Sequence, residues 1–305
     1  MRVVIRGAGD LASGIALRLW RAGLDVVLLD VAKPTAIRRT VAFSEAIVHG
    51  EQTVEDVTAR LAALETVPEL LRQGILPVLI DPEGASIPAL HPDALVDAIL
   101  AKRNLGTKIT DAPVVIGVGP GFTAGVDCHA VVETMRGHTL GRVLREGSAI
   151  PNTGIPGLIG GFAGERVLRA PAAGSFHPLR DIGDAVTEGE TLATVAGVPM
   201  TATLTGTLRG ILPEGTEVFP GMKSGDIDPR CQRSHCFTAS DKALAVGGGV
   251  LEAVLALTGA LREHGWPAGA RSLSSPERGA APSAVVRKAP PGRGRKGEFL
   301  CRKTK

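Results

Sequence analysis

Short apolar runs alternate with helix-like segments through the first half of the chain. The apolar runs, typical of strands buried on both faces, lie at 3–5, 26–29, 75–80 and 114–116. Apolar residues at helical spacing predict helices at 51–73, 91–103 and 126–135, and a helix-like segment that contains residues 15–20 and ends near Gly23. Strands alternating with helices are typical of a parallel sheet with both faces covered. The fold class expected is therefore α/β, with a Rossmann-like parallel-sheet domain first.

The pattern changes after residue 140 to short β runs with frequent Gly. The same spacing occurs twice, 32 residues apart, with Ala170, Gly174, Gly183 and Gly189 followed by Ala202, Gly206, Gly215 and Gly221. Such a repeat predicts a pseudo-twofold β unit. Helical spacing returns at 239–258. We therefore expect a small all-β module followed by a C-terminal helix.

These changes divide the chain into five predicted parts. They are a Rossmann-like nucleotide-binding domain at 1–145, a Gly/Pro-rich connecting loop at 146–165, a β module with an internal repeat at 166–230, a C-terminal helical segment at 231–261 and a disordered basic tail at 262–305.

Charge is distributed unevenly between the body and the tail. The formal net charge is +3, but residues 262–305 carry eleven Lys or Arg and three Glu, so the remaining residues are net acidic by five charges. Aromatic residues make up only 3% of the chain, too few for a base-stacking surface. A nucleic-acid partner is not expected.

Composition also limits the compartment and the chemistry. The chain contains no Tyr, which excludes a catalytic Tyr, and four scattered Cys do not form a disulfide framework. No apolar run reaches the ~18–20 residues of a membrane span, and a strand is predicted from Val3 onwards, which leaves no room for a signal peptide. We expect a cytoplasmic protein, with homo-oligomerisation left open.

The first candidate site is a glycine turn between the first strand and the first helix. Gly7 permits a tight turn, Gly9 allows a pyrophosphate to approach the backbone, and Ala12 permits close packing of helix and strand. Asp30, 21 residues after Gly9, is near the position of a ribose-binding acid. Asp10 favours the alternative of a turn without a ligand, because its carboxylate could cap the helix itself.

Three cations follow the second predicted strand. Lys33, Arg38 and Arg39 could bind a phosphate or another anionic group. The alternative is a solvated loop face with salt bridges, and the spacing alone does not choose between the two.

Two weaker candidates lie further along the chain. A second glycine turn contains Gly119 and Gly121 after a predicted strand, where open α/β sheets bind ligands. His129 and Glu133 follow four residues apart on the predicted helix, so His129 is a weak candidate metal ligand or acid–base residue. Cys236 is a second weak ligand candidate, against the alternative of a small buried hydrophobic residue.

Several long motifs are distributed along the chain, and they are Val4 to Gly14, Lys33 to Thr40, Asp81-Pro82-Glu83, Gly117 to His129, Asn152 to Gly157, Asp226 to Arg230 and Asp241 to Glu252. Together they resemble one known family, the accessory proteins of the selenium-dependent molybdenum hydroxylase system. The resemblance covers roughly residues 2–258 and implies partners among molybdenum hydroxylase client enzymes and cofactor-handling proteins. It supplies no established reaction and no catalytic residue.

The family resemblance also implies a ligand, and the internal repeat has a resemblance of its own. It implies the molybdenum cofactor, or a nucleotide or dinucleotide, in the N-terminal domain. The repeat resembles the barrel-sandwich hybrid of biotinyl and lipoyl domains, but the hairpin at 195–200 has no Lys, so a swinging-arm carrier is not expected.

Three functions remain open from the sequence. The first is a maturation protein that binds the cofactor at the Gly9 turn and the basic run. The second is an NAD(P)-dependent oxidoreductase, which Asp30 favours and Asp10 opposes. The third is a non-enzymatic interaction protein with a vestigial Rossmann domain.

Overall fold

The computed structural model describes residues 1–154 and 157–260 of the chain. The predicted basic tail at 262–305 lies outside the described residues. The strands of the first half are β1 (Arg2–Arg6), β2 (Asp25–Asp30), β3 (Glu51–Val54), β4 (Val57–Leu61), β5 (Leu76–Ile80), β6 (Ala94–Asp97), β7 (Val114–Val118), β8 (Thr123–Ala124), β9 (Ala130–Val132), β10 (Val143–Leu144) and β11 (Gly147–Ser148).

The second half contains eight further short strands. They are β12 (Val167–Arg169), β13 (Gly174–Pro178), β14 (Ala185–Val186), β15 (Thr191–Val195), β16 (Val198–Thr201), β17 (Gly206–Ile211), β18 (Thr216–Val218) and β19 (Lys223–Asp228). The helices are α1 (Asp10–Arg21), α2 (Glu45–His49), α3 (Val67–Arg72), α4 (Ile87–Leu90) and α5 (Asp241–Leu257).

A nine-stranded sheet organises the first half. Its strand order is β10-β9-β7-β6-β1-β2-β5-β4-β3. The inner strands from β9 to β4 pair in parallel, whereas β10 and β3 pair antiparallel at the two edges. The sheet is therefore mixed, and the carboxyl ends of β1, β2 and β6 meet at one edge.

Each face of this sheet carries its own hydrophobic core. Val3 and Ile5 of β1 face one core, which α1 and α5 cover, while Val4 faces the other, which α3 and α4 cover. This alternation is the two-residue period of a strand, and all three side chains are fully buried. Burial on both faces explains why the central strands are continuously apolar.

Helices α1 and α5 approach each other closely because small residues line their contact. A Cβ on Gly14 would lie 2.5 Å from the Cβ of Ala243, and a Cβ on Gly247 would lie 2.7 Å from the carbonyl oxygen of Gly14. Any larger side chain at either glycine would force the helices apart. This packing seats the C-terminal helix on the N-terminal sheet.

Three of the four helix predictions for the first half are wrong over most of their length, because these segments contain strands. Residues 51–61 form the β3–β4 hairpin, 94–97 form β6 and 130–132 form β9. Only Val67–Arg72 of the 51–73 prediction is α-helical. Short apolar runs fit both periods, and here burial on both sheet faces selected the strand. The predictions of α1, β1, β2, β5, β7 and α5 are confirmed.

The second half forms two four-stranded antiparallel sheets around one core. Their orders are β12-β19-β17-β14 and β16-β15-β13-β18. Gly174 begins β13 and Gly206 begins β17, 32 residues later, so the sequence repeat has a structural counterpart. Strands at the same position in the two sheets are β12 and β16, β19 and β15, β17 and β13, and β14 and β18. The members of each pair lie four strands apart in chain order, as a pseudo-twofold relation requires.

The predicted fold class is wrong as stated. The large sheet is mixed rather than parallel and lacks most of the expected crossover helices, so a Rossmann-like domain is not what forms. Within the described residues the β module is two separate sheets, with no closed barrel and no clear biotinyl-like unit. The fold is a mixed α/β fold with a large mixed sheet. The boundaries of the five parts remain a prediction.

The segment after β2 joins the large sheet to the β module. The carbonyl oxygen of Ile37 accepts a hydrogen bond from the amide of Ile211 at 2.8 Å, and Arg39 Nε donates to the carbonyl oxygen of Ile211 at 3.0 Å. Thr40 Oγ1 donates to the carbonyl oxygen of Cys236. These contacts hold the module beside the carboxyl edge of the sheet.

A membrane-spanning helix does not occur in the described part of the chain, where every helix is too short or too polar to cross a bilayer. The cytoplasmic location remains a prediction.

Candidate anion-binding cavity

A cavity of about 800 Å³ lies between the carboxyl edge of the large sheet and the β module. Its walls come from the Gly7–Ala12 turn, the 34–38 segment, the 98–102 segment, the 134–136 segment, Ile150, Asn152, Thr153, Gly154 and Gly157, and β12 and β19. Its charged residues are Asp10, Asp30, Arg38, Lys102, Arg136, Arg166, Arg169, Lys223, Asp226 and Lys242. Cations outnumber carboxylates by seven to three in a body whose net charge is negative.

The first glycine turn opens onto this cavity. Gly7, Gly9, Asp10 and Ala12 all line it. Gly7 has φ +102°, and a Cβ there would lie 2.8 Å from the carbonyl oxygen of Ala98, so only glycine fits. A Cβ on Gly9 would meet nothing within 4 Å, which leaves the backbone of the turn open to the cavity.

Asp10 does not cap helix α1. It is the first residue of the helix, Gly9 is the N-cap, and no side chain of the described residues makes a capping hydrogen bond there. The carboxylate of Asp10 instead accepts a hydrogen bond from Arg38 Nη1 at 3.0 Å. The uncapped N-terminus of α1 therefore faces the cavity with the partial positive charge of its amides.

Arg38 joins the large sheet to the β module electrostatically. Its Nη2 donates to Asp226 Oδ2 at 2.6 Å while its Nη1 binds Asp10. Burial disfavours the charge on Arg38, but Asp226 and Asp10 more than offset this and raise its pKa. Burial likewise opposes ionisation of Asp226, yet Arg38 holds the pKa of Asp226 below its ordinary value. Arg38 thus forms the salt bridges that the sequence left open as an alternative, and phosphate binding by Arg38 stays a prediction.

Asp30 is hydrogen-bonded to backbone amides, one of them in the Gly7–Ala12 turn. Its Oδ2 accepts a hydrogen bond from the amide of Ala8 at 2.7 Å, and its Oδ1 accepts one from the amide of Val31 at 2.7 Å. Burial raises the pKa of Asp30 despite these bonds. Both oxygens therefore have backbone partners, and the ribose-binding role of Asp30 stays a prediction.

Four other predicted site residues lie outside the lining of the cavity. Lys33 is exposed, and Arg39 points to the β module through its bond to Ile211. Gly119 and Gly121 shape the second turn, with φ +78° and φ +116°, but only the intervening Pro120 lines the cavity. The structure thus separates the predicted residues into two groups.

The weak metal candidates have structural contacts. Nδ1 of His129 accepts a hydrogen bond from the amide of Val115 at 2.9 Å, and Glu133 accepts bonds from the amides of Thr134, Met135 and Ile150. Cys236 is buried, and burial raises the pKa of its thiol to about 11. Over residues 1–154 and 157–260, no group of three His, Cys, Asp or Glu could hold a metal ion.

The structure adds seven charged cavity residues that were not candidates from the sequence. They are Lys102, Arg136, Arg166, Arg169, Lys223, Asp226 and Lys242. Asp226 and Lys242 lie within motifs singled out in the sequence, but their role depends on contacts across almost 200 residues. The remaining five are single charges in segments without a recognisable pattern.

The arginines of the cavity are bound to the protein itself. Arg136 forms two hydrogen bonds with the carboxylate of Asp241, at 2.8 and 3.0 Å. Arg166 donates to the carbonyl oxygens of Phe162 and Gly157, and Arg169 donates to that of Gly221. With Arg38 tied to two carboxylates, all four guanidinium groups have protein partners.

The three lysines of the cavity differ in this respect. No salt bridge or side-chain hydrogen bond involves Lys102, Lys223 or Lys242 anywhere in the described residues. Burial lowers the pKa of Lys223, with Arg38 adding to the shift and Asp226 opposing it. Burial and the nearby Arg136 lower the pKa of Lys242. Asp226 and Asp10 act on these ammonium groups only through space, because no carboxylate of the described residues forms a salt bridge with them.

Comparison with known proteins places the chain beside one curated relative. No protein-family model matches it. The Uncharacterized protein YqeB of Escherichia coli (strain K12) is 54% identical over 256 residues, which are 84% of this chain and 47% of that protein. The chain therefore spans about half the length of this curated relative.

Solved structures give weaker likenesses. An aspartoacylase family protein from Mesorhizobium loti is 11% identical, with 74% of this chain and 83% of that chain covered and a TM-score of 0.22. Succinylglutamate desuccinylase from Silicibacter sp. TM1040 is 12% identical, and succinylglutamatedesuccinylase/aspartoacylase from Rhodobacter sphaeroides is 15% identical. Each covers 74% of this chain and 84% of its own, with a TM-score of 0.23. Likenesses this weak assign no reaction.

These findings correct the expected family. The proteins found are described as aspartoacylase or desuccinylase proteins or as uncharacterized, and none as an accessory protein of a selenium-dependent molybdenum hydroxylase. The family expectation and the maturation role were wrong. The two alternatives, an NAD(P)-dependent oxidoreductase and an interaction protein with a vestigial Rossmann domain, are not supported either.

Proposed function

We propose that this protein binds a phosphorylated small molecule in the cavity between the large sheet and the β module. The observation that carries the proposal is the set of three unpaired ammonium groups, Lys102, Lys223 and Lys242, in the same cavity as the open Gly9 turn. Phosphate oxygens are strong acceptors for ammonium groups and for the free amides at a helix N-terminus. The nucleotide or dinucleotide expected from the sequence is one molecule of this class.

Two further features support binding at this position. Ser44 lines the cavity and is fully buried, yet its Oγ has no hydrogen-bond partner among the described residues. A buried hydroxyl without a partner is destabilising, and a ligand acceptor or a water would satisfy it. The cavity volume of about 800 Å³ lies within the range of about 300–1,000 Å³ that small-molecule sites occupy.

The proposal is binding and includes no reaction. The three carboxylates of the cavity are all engaged, Asp10 and Asp226 by Arg38 and Asp30 by backbone amides. A general base needs a carboxylate or imidazole that can reach a substrate proton. These engaged carboxylates serve the architecture of the cavity.

Calorimetric titration with inorganic pyrophosphate tests this function. The double variant Lys223→Ala/Lys242→Ala is expected to weaken binding by about tenfold or more, since each lost ammonium removes a charge-assisted bond. Lys33→Ala is the matched control, because Lys33 is exposed and does not line the cavity. It should bind within about twofold of the unaltered protein.

The dependence of pyrophosphate affinity on salt and on pH gives two further tests of the proposed function. Pyrophosphate affinity is expected to fall as ionic strength rises. It is also expected to fall as pH rises towards the lowered pKa values of Lys223 and Lys242, earlier than for ordinary lysines. No binding at millimolar pyrophosphate, or equal losses in the double variant and the Lys33 control, would contradict the proposed function.

A further inference from the structure

A second, smaller pocket opens beside the cavity. Its volume is about 360 Å³, and it shares Gly7, Asp30, Val31 and Ile99 with the walls of the larger cavity. The two spaces therefore adjoin at the carboxyl ends of β1 and β2. A single ligand that follows the Gly7 turn can occupy both.

The two spaces have opposite charge. The smaller pocket is lined by the carboxylates Asp30, Asp81 and Glu83, whereas its one cation is Arg6. The charge of Arg6 is already used, because its Nη1 lies 3.7 Å from Asp97 Oδ2. A phosphate would be repelled from this pocket and attracted to the lysines of the cavity. This separation of charge orients a ligand whose two ends differ.

The smaller pocket also offers apolar surface. Leu29, Val31, Pro82, Ile99 and Leu105 line it. Leu105 is 41% exposed, so this apolar surface reaches the mouth of the pocket. Burial of an uncharged ring against such side chains is favourable.

The polar groups of the smaller pocket indicate which kind of ring on a ligand could bind there. The carboxylate of Asp81 already accepts hydrogen bonds from the amides of Ala85 and Ser86 and from Ser86 Oγ. Glu83 presents acceptor oxygens, so a donor group on the ligand suits this end. Arg6 is 5% exposed, and its Nε is a buried donor with no hydrogen-bond partner among the described residues. A ring that carries both donors and acceptors matches these groups better than a hydrocarbon does.

We infer that the ligand is a nucleoside phosphate, with its phosphates in the lysine-lined cavity and its base or sugar in the smaller pocket. This inference rests on the proposed function, because the phosphate end must first bind at Lys223 and Lys242. It adds a second recognition site that selects for an uncharged heterocyclic end.

The test compares inorganic pyrophosphate with ADP, GDP and CDP by calorimetry on the full chain. At least one nucleotide is expected to bind about tenfold more tightly than pyrophosphate, because its nucleoside end buries apolar surface. Leu105→Asp should remove about tenfold of nucleotide affinity and leave pyrophosphate affinity within about twofold. Leu179→Asp is the matched control, because Leu179 is 58% exposed and lines neither space.

The outcomes separate the two proposals. Unchanged pyrophosphate binding by Leu105→Asp shows that this variant is folded, and the milder Leu105→Asn serves if it is not. If pyrophosphate binds but no nucleotide binds more tightly, or if Leu105→Asp keeps the full nucleotide advantage, the nucleoside inference is overturned and the anion site stands. If neither pyrophosphate nor any nucleotide binds, both proposals fail.

Discussion

Replacing Arg38 by Met tests whether this side chain holds the sheet and the β module together. The substitution keeps an unbranched apolar stem but removes the guanidinium group, which leaves Asp226, 1% exposed, without its 2.6 Å and 3.3 Å hydrogen bonds. Removing one partner of a buried ion pair costs about 3–5 kcal/mol. Arg166 Nη1 lies 3.9 Å from Asp226 and offsets part of this loss. We expect the free energy of unfolding to fall by about 3 kcal/mol.

A comparison with Asp10 separates the buried pair from the exposed one. The side chain of Asp10 is 29% exposed, so Asp10→Asn should cost only about 0–1 kcal/mol. Combining Arg38→Met with Asp226→Asn should recover much of the loss, because no unpaired buried carboxylate remains. Urea unfolding at pH 7, followed by circular dichroism, measures all four proteins. A loss below about 1 kcal/mol for Arg38→Met, or no recovery of stability in the double variant, would refute the role of Arg38 in holding the sheet and the β module together.

Three further predictions follow from other parts of the structure. Gly14→Ala should lower the free energy of unfolding by about 1–3 kcal/mol, because the added methyl group overpacks α1 against α5. Gly248→Ala should raise the free energy of unfolding by about 0.5–1 kcal/mol, because a Cβ there would meet nothing within 4 Å. Equal effects of the two variants in urea unfolding would contradict the helix contact. Arginines lower the pKa of the buried Asp228 to about 2 against the opposing effect of burial, so its contribution is present above pH 4 and lost as pH falls towards 2. Asp228→Asn should therefore flatten acid unfolding in that range by roughly 1–2 kcal/mol, and an unchanged acid profile would contradict this. Burial raises the pKa of Cys128 and of Cys236 to about 11, so peptide mapping after alkylation of the folded protein at pH 8 should find both unlabelled, and rapid labelling of either would contradict their burial.

Local signals in the sequence predicted the start of the chain well. Val3 to Ile5, the Gly7 turn and the helix after it form as expected, because strand, turn and helix signals agree over a short stretch. The 32-residue repeat likewise has its counterpart in two sheets with matching strand orders. In both places, the signal and the structure involve neighbours in the chain.

The errors came where the same apolar run fits two structures. Ala94 to Val96 are fully buried in β6, yet the sequence around them also has helical spacing. In the structure β6 pairs with β1, and this pairing joins residues about 90 positions apart in the chain. Tertiary pairing therefore overrode the local pattern.

The site shows the same limit for charged residues. Arg38 was predicted to bind an anion, and in the structure its guanidinium group is hydrogen-bonded to Asp226, 188 residues away. Lys223 and Lys242 carried no separate signal, and neither forms a salt bridge or side-chain hydrogen bond in the described part of the chain. Which cation is free depends on long-range pairing that spacing does not encode.

A crystal structure of the protein grown with pyrophosphate would show whether the cavity binds phosphate. We expect phosphate oxygens within about 3 Å of Lys223 Nζ and Lys242 Nζ and of the amides after Gly9, with Arg38 still bound to Asp226. Pyrophosphate seated on Lys33 and Arg39 outside the cavity, or an empty cavity at saturating pyrophosphate, would contradict it.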